Sequence, residues 1–117
     1  MVRKTLVDLE LEVLEEWKKY YRNPLFYAKK IKAIVRRYDL QARILLFGSV
    51  VKGYMRPDSD IDVLVITKLA EKVDDRLRLR MEIAKEIGDL TPFEIHIITP
   101  NEYKDWYQKF IDKHLEV

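Results

Sequence analysis

No cysteine occurs in the 117 residues, so disulfides and thiolate metal sites are excluded. Only two histidines are present, and no second His or Cys stands at ligand spacing from either, which argues against a zinc site. Side-chain amides are scarce: Asn23, Gln41, Asn101 and Gln108. Few amides and dense mixed charge resemble the composition of thermophile proteins. Long apolar runs are also missing, and none approaches the roughly 20 residues that span a bilayer. Asp8, Glu10 and Glu12 break up the first residues, so no signal-peptide core is read there. There is no internal repeat and no low-complexity linker. A soluble, cytoplasmic protein with no membrane partner is expected.

With 48% hydrophobic residues the chain can build a core, and its length suits a single domain over 1–117. Charged residues reach 36%, against about a quarter in an average domain. Lys and Arg (22) nearly cancel Asp and Glu (20), leaving +2, so nucleic acid is not indicated as a partner. Arg76, Arg78 and Arg80 do not change this, because helix positions two apart do not share a face.

Hydrophobic spacing predicts a helix over 5–22 carrying Leu6, Leu9, Val13, Leu14, Trp17 and Tyr21. Asn23 is expected to cap a second helix over 24–38, with Pro24 in its first turn and Tyr27, Ile31, Ile34, Val35 and Tyr38 inward. Residues 42–47 read as a strand ending at Gly48, 49–54 as a short helix or turn, and 55–59 as a turn. Residues 61–67 read as a buried strand. A helix over 72–88 should place Leu77, Met81, Ala84 and Ile87 inward and stop at Gly88. A third strand over 93–99 alternates Phe93, Ile95 and Ile97 on one side with Glu94 and His96 on the other. Pro100 opens a last helix with Tyr103, Trp106, Tyr107, Phe110 and Ile111 on one face, its aromatic stripe expected in the core. The fold class is α/β of the α+β type: a small mixed sheet of three or four strands packed by helices. The helices of 5–38 are expected to pack on a core over 42–112.

One stretch carries chemistry. Gly48-Ser49 closes one strand, and Asp60-Ile61-Asp62 opens the next. Period-two geometry points Asp60 and Asp62 to the same side, where a divalent cation relieves their repulsion. Asp62 sits within an otherwise apolar strand, where an unpaired carboxylate is costly. Glycine lets a ligand approach the backbone, and the Ser49 hydroxyl and neighbouring amides suit phosphate oxygens. Glu94 offers a third carboxylate, as a metal ligand or as the base for an acceptor hydroxyl. Lys52 and Arg56 can neutralise triphosphate charge, although solvated loop charges are the commoner role for such residues. His96, two residues beyond Glu94 on the same face, is placed at the edge of this site.

The string Phe47-Gly48-Ser49-Val50-Val51-Lys52-Gly53, followed by Arg56-Pro57-Asp58-Ser59-Asp60-Ile61-Asp62-Val63-Leu64-Val65, resembles the DNA polymerase β-like nucleotidyltransferase superfamily. Within it the chain is most similar to the small archaeal and prokaryotic branch, the minimal nucleotidyltransferases. The resemblance covers roughly 25–112 and includes Ile98-Thr99-Pro100-Asn101-Glu102-Tyr103 with Trp106-Tyr107. It implies the nucleotidyltransferase fold, Asp60 and Asp62 as metal ligands and Gly48 and Ser49 as phosphate binders. It puts the third carboxylate on the strand of Glu94, where many relatives have Asp, and Lys52 where many have Arg.

The implied activity is metal-dependent transfer of a nucleoside monophosphate, AMP from ATP by analogy, to an acceptor hydroxyl. Mg²⁺ or Mn²⁺ is the implied cofactor. Minimal members often work beside a small helical partner of the HEPN class, which makes such a protein an implied partner and acceptor. The alternative is an antitoxin that neutralises that partner by binding, with little or no catalysis. The helix over 5–22 lies outside the minimal domain and is a candidate either to cover the sheet or to form a dimer surface.

Overall fold

A computed structural model describes residues 3–117. Helix α1 spans Leu6–Arg22 and is opened by Thr5, whose side chain accepts from the Asp8 amide while Asp8 returns the bond to the Thr5 amide. Asn23 ends α1 and caps α2 (Pro24–Arg36) through a bond from the Phe26 amide, with Pro24 in the first turn as expected. Strand β1 (Arg43–Phe47), helix α3 (Ser49–Lys52) and strand β2 (Ile61–Ile66) follow. A short 3₁₀ turn, Lys68–Glu71, leads into α4 (Val73–Ile87), which stops at Gly88. Strand β3 covers Phe93–Ile98. A helical stretch then runs through Pro100–Glu102, a π-helical turn at Tyr103–Tyr107 and Gln108–Phe110.

The sheet has four strands in the order β3-β2-β1-β4, where β4 is His114–Glu116. Strand β1 runs antiparallel to β2 and to β4, and β2 runs parallel to β3. Strand β4, three residues long, lay beyond the elements assigned from hydrophobic spacing. It is tied down by a two-bond pairing of Arg43 with Glu116 at 3.0 and 2.7 Å, and by Lys32 Nζ donating to the Val117 carbonyl at 2.8 Å.

Alternation along the strands divides the core. Ile44, Leu46, Ile61, Val63, Val65 and Ile97 point to one face, where Tyr20, Ala28, Ile31, Ile34, Val35, Leu79, Ile83 and Ile87 cover them. The opposite face holds Leu45, Leu64, Ile66 and Ile98 under Tyr103, with Phe47, Tyr107 and Ile111 at its margin. Ordinary burial arithmetic assigns each of these large side chains about 1.5–3 kcal/mol. Asp39 and Thr67 are the buried polar residues among the described ones. Thr67 Oγ1 donates to Asp39 Oδ2 at 2.8 Å, and the Lys68 and Gln41 amides donate to the same carboxylate at 3.3 and 3.1 Å. This pairing joins the turn after α2 to the end of β2.

Three expectations about packing are corrected. On α4 the inward row is Leu79, Ile83 and Ile87, while Leu77 and Met81 are 54% and 63% exposed. Both rows have a four-residue spacing, and periodicity alone does not choose between two apolar stripes on one helix. Tyr38 is exposed because α2 ends at Arg36, and its hydroxyl turns to Glu82. In the last helical stretch, Tyr103, Tyr107 and Ile111 face the sheet, whereas Trp106 and Phe110 are 61% and 66% exposed. The π turn widens the helix there, so the row on the sheet advances by four residues and the positions three apart rotate outward. The first half of α1 also stands clear of the body, leaving Leu6, Val7, Leu9 and Leu11 exposed.

Candidate active site

Strand β2 brings two signals together. Its parallel register with β3 sets Asp62 beside Glu94, and its antiparallel register with β1 sets Asp62 beside Phe47, the residue before Gly48. Gly48 has φ +77, and a Cβ added there would lie 2.3 Å from Asp62 Oδ2. The glycine is therefore required twice, by its backbone conformation and by the carboxylate against it. The turn and the second aspartate form one local structure.

The amides of Ser49 and Val50 open α3, where a helix has no internal partner to offer them. Ser49 is half-buried beside this opening. Asp60 lies exposed in the residue just before β2. Two contacts hold that approach in place. The Ile61 amide donates to the Pro92 carbonyl at 2.8 Å, and the Tyr21 hydroxyl donates to the Ser59 carbonyl at 2.6 Å. Helix α1 also donates from Trp17 Nε1 to the Leu90 carbonyl and from the Tyr20 hydroxyl to the Ile87 carbonyl, at 3.2 and 2.8 Å. These fix the loop that leads to Glu94. The contacts span 38 to 73 residues, and no local pattern announces them.

Asp62, Glu94 and His96 place one ligand atom each within 4.8 Å of one another. His96 Nε2 is 3.7 Å from Glu94 Oε1 and 4.0 Å from Asp62 Oδ1, distances too long for hydrogen bonds but short for charge attraction. The facing Asp62 carboxylate raises the His96 pKa against the opposing effect of burial; Glu94 adds to the rise and Arg80 opposes it. Burial raises the Glu94 pKa, Asp62 and Asp60 push it the same way, and His96 opposes them. The Glu94 carboxyl thus holds its proton to a higher pH than an ordinary glutamate.

A set of two or three carboxylate oxygens with one imidazole fits a divalent cation, which would relieve this repulsion. The structure brings Asp62 and Glu94 together with Gly48 as expected and gives His96 a more central place than the site's edge. Lys52 and Arg56 are not drawn in. Lys52 Nζ lies 3.5 Å from Asp112 Oδ1. Arg56 is exposed and closes the preceding turn through its backbone, its amide donating to Ser59 Oγ at 2.8 Å. Neither makes an ion pair with Asp60, Asp62 or Glu94 among the described residues.

A family model described as a nucleotidyltransferase domain matches residues 28–114. No match is found among curated proteins. Among solved structures, a protein proposed to be a nucleotidyltransferase is 37% identical, with a TM-score of 0.63 over 76% of this chain and 95% of its own. Another proposed nucleotidyltransferase, from Sulfolobus solfataricus, is 18% identical with a TM-score of 0.53, over 91% of this chain and 83% of its own. A chain from a mutant of the toxin–antitoxin MntA–HpeT is 18% identical with a TM-score of 0.52, over 76% of this chain and 70% of its own. The last two likenesses bear on the fold alone. The family match covers the turn, the three carboxylates and strands β1 to β3, and on that ground this chain belongs to the nucleotidyltransferase domain family.

Proposed function

We propose that this chain is a metal-dependent nucleotidyltransferase that moves AMP from ATP to an acceptor hydroxyl on a partner protein. The observation that carries the reading is the contact of Gly48 with Asp62, beside Glu94 on the next strand. A phosphate-friendly turn and a carboxylate pair at one end of the sheet suit a nucleoside triphosphate with its cation.

Asp60, Asp62 and Glu94 would hold the cation, Mg²⁺ or Mn²⁺. When bound, it would supply neutralising charge to the phosphates and to the leaving pyrophosphate. Gly48, lacking a side chain, admits a phosphate to the backbone, and the Ser49 hydroxyl and the first amides of α3 donate to its oxygens. The acceptor oxygen attacks the α-phosphorus, the bond from that phosphorus to the bridging oxygen breaks, and pyrophosphate leaves. Glu94 takes the acceptor's proton. In this reading Lys52 leaves Asp112, and with Arg56 turns to the triphosphate only when it is present.

One fold neighbour comes from a toxin–antitoxin, so the acceptor to try first is a small helical protein encoded beside this chain. The test is incubation with ATP labelled at the α-phosphate, Mg²⁺ or Mn²⁺, and that protein. Label should appear on the partner with release of pyrophosphate, and Asp60→Ala and Asp62→Ala should each abolish it. Neutralisation of the partner that survives both substitutions would replace this reading with binding alone.

A further inference from the structure

The imidazole of His96 is not needed by a site made of carboxylates, yet the fold directs it there. Its ring packs near those of Phe47 and Tyr107, with centroids 5.8 and 6.4 Å away. Both neighbours are fixed independently, Phe47 as the last residue of β1 and Tyr107 in the π turn. With the ring packed in this way, Nε2 faces the two carboxylates, and no hydrogen bond among the described residues draws it elsewhere.

Ligand atoms around a small divalent ion lie about 2.0–2.2 Å from it, hence about 3.0–3.5 Å from one another. The contacts of 3.7 and 4.0 Å approach that spacing; rotation of the half-exposed Glu94 side chain closes its own distance to His96, and a shift of about half an ångström by Asp62 or His96 closes the other. The set also explains the placement chemically. Without a cation, Asp62 and Glu94 repel each other across the register pair, and His96 offsets them.

We propose that the His96 nitrogen joins the carboxylates of that site, closing with Asp62 and Glu94 on the one divalent cation that Asp60 also approaches, and that this nitrogen makes the site select Mn²⁺ over Mg²⁺. Mg²⁺ is a hard ion that takes oxygen ligands and parts reluctantly with water, whereas later divalent ions gain more from imidazole. The inference rests on the metal-dependent reading above and names the metal of that same site. It assigns His96 as a ligand and leaves the proton transfer to Glu94.

The chain's two histidines make the test clean. Untagged protein, stripped of metal by a chelator, is titrated with Mn²⁺ and followed by electron paramagnetic resonance, with pulsed measurements for nitrogen coupling. Wild type should bind one Mn²⁺ with the hyperfine coupling of a directly bound imidazole nitrogen. His96→Gln should lose that coupling and weaken Mn²⁺ about tenfold, while Mg²⁺ affinity, measured by competition, changes less than twofold. His114→Gln, on exposed β4, should match wild type. Wild-type protein that binds no Mn²⁺, binds it without nitrogen coupling, or keeps the coupling after His96→Gln overturns the proposal. The wild-type spectrum decides even if the variant fails to fold. Nitrogen-coupled Mn²⁺ with no label transfer would leave this site standing and remove the transfer reading. Transfer with no nitrogen coupling would do the reverse.

Discussion

The two faces of the sheet are made from alternate residues of the same strands, yet one is closed and the other is only half closed. On the first, Ile61, Val63 and Val65 of β2 lie under α2 and α4. On the second, the same strand offers Asp62, Leu64 and Ile66, and β3 offers Glu94, His96 and Ile98. Each sequence passes from charge to hydrocarbon within six residues. The C-terminal helical stretch covers the apolar end through Tyr103, and the carboxylate end is left accessible. The closed face supplies stability, and the open end holds like charges that cost it. Separate substitutions on the two faces should move stability and activity independently.

Asp62→Asn gives the largest effect and the sharpest contrast. It removes a charge from the open end while keeping the shape. Transfer should fall at least about a hundredfold, in the range lost when an electrostatic group at a reacting centre is removed. The melting temperature should hold or rise, because Glu94 loses the like charge that raises its pKa most. A drop of several degrees instead would mean that Asp62 serves the fold.

On the closed face the converse holds. Ile83→Ala removes a side chain that is 1% exposed and should cost about 2–5 kcal/mol in denaturant unfolding. Met81→Ala, two residues earlier and 63% exposed, should change stability by less than about 0.5 kcal/mol. Equal costs would mean that α4 is rotated relative to the structure described here.

Gly48→Ala links the two faces' properties. The alanine must adopt φ +77, and its methyl group meets Asp62 Oδ2. The conformation should cost about 1–3 kcal/mol, and the contact can be relieved only by swinging the carboxylate out of the site. Activity should therefore fall with stability. Adding Asp62→Ala should restore part of the stability and none of the activity, as thermal melts and label transfer would show.

The local parts of this design were legible in the sequence. Gly48-Ser49, Asp60-x-Asp62 and the alternation at Glu94 each follow from a period or a turn, and their spacing pointed to a common site. The sheet's principal strands and the Asn23-Pro24 break between helices were legible for the same reason. Strand β4 was not, because three residues such as His114–Glu116 carry no period. The inward row of α4 was not, because Val73, Leu77 and Met81 repeat as regularly as Leu79, Ile83 and Ile87. The place of His96 beside Phe47 and Tyr107 depends on the β3-β2-β1 strand order and a π turn, and neither has a one-dimensional signature. Asp39 belongs to no motif or period, and it is 5% exposed.

Asp39 also gives a pH test away from the site. Burial raises its pKa, but the bonds from Thr67, Gln41 and Lys68 together outweigh burial and hold it below the ordinary value. A carboxylate with a depressed folded-state pKa adds stability above its unfolded pKa of about 3.9, and that stability is lost as pH falls through the folded value. The difference in unfolding free energy between wild type and Asp39→Asn should be level from about pH 8 to 5 and shrink below about pH 4. A difference that stays level at lower pH would show that the ionised form is not what Thr67 and the two amides hold.

The smallest effect concerns the reach of α1 across to the open end. Tyr21→Phe removes only the bond to the Ser59 carbonyl, and the ring remains packed against the core. A lost bond of this kind costs about 0.5–1.5 kcal/mol. The loop it releases leads directly into Asp60, so activity should suffer beyond that small loss of stability. A fall of a few fold in the transfer rate, with metal binding weakened by a similar factor, is expected well below the melting temperature. Trp17→Phe removes the comparable bond to Leu90 on the approach to Glu94 and serves as the parallel measurement. If both variants lose stability and neither loses metal affinity, α1 acts only as a clamp on the closed face. If Tyr21→Phe alone weakens the metal, the helix outside the matched family region sets the position of the first aspartate.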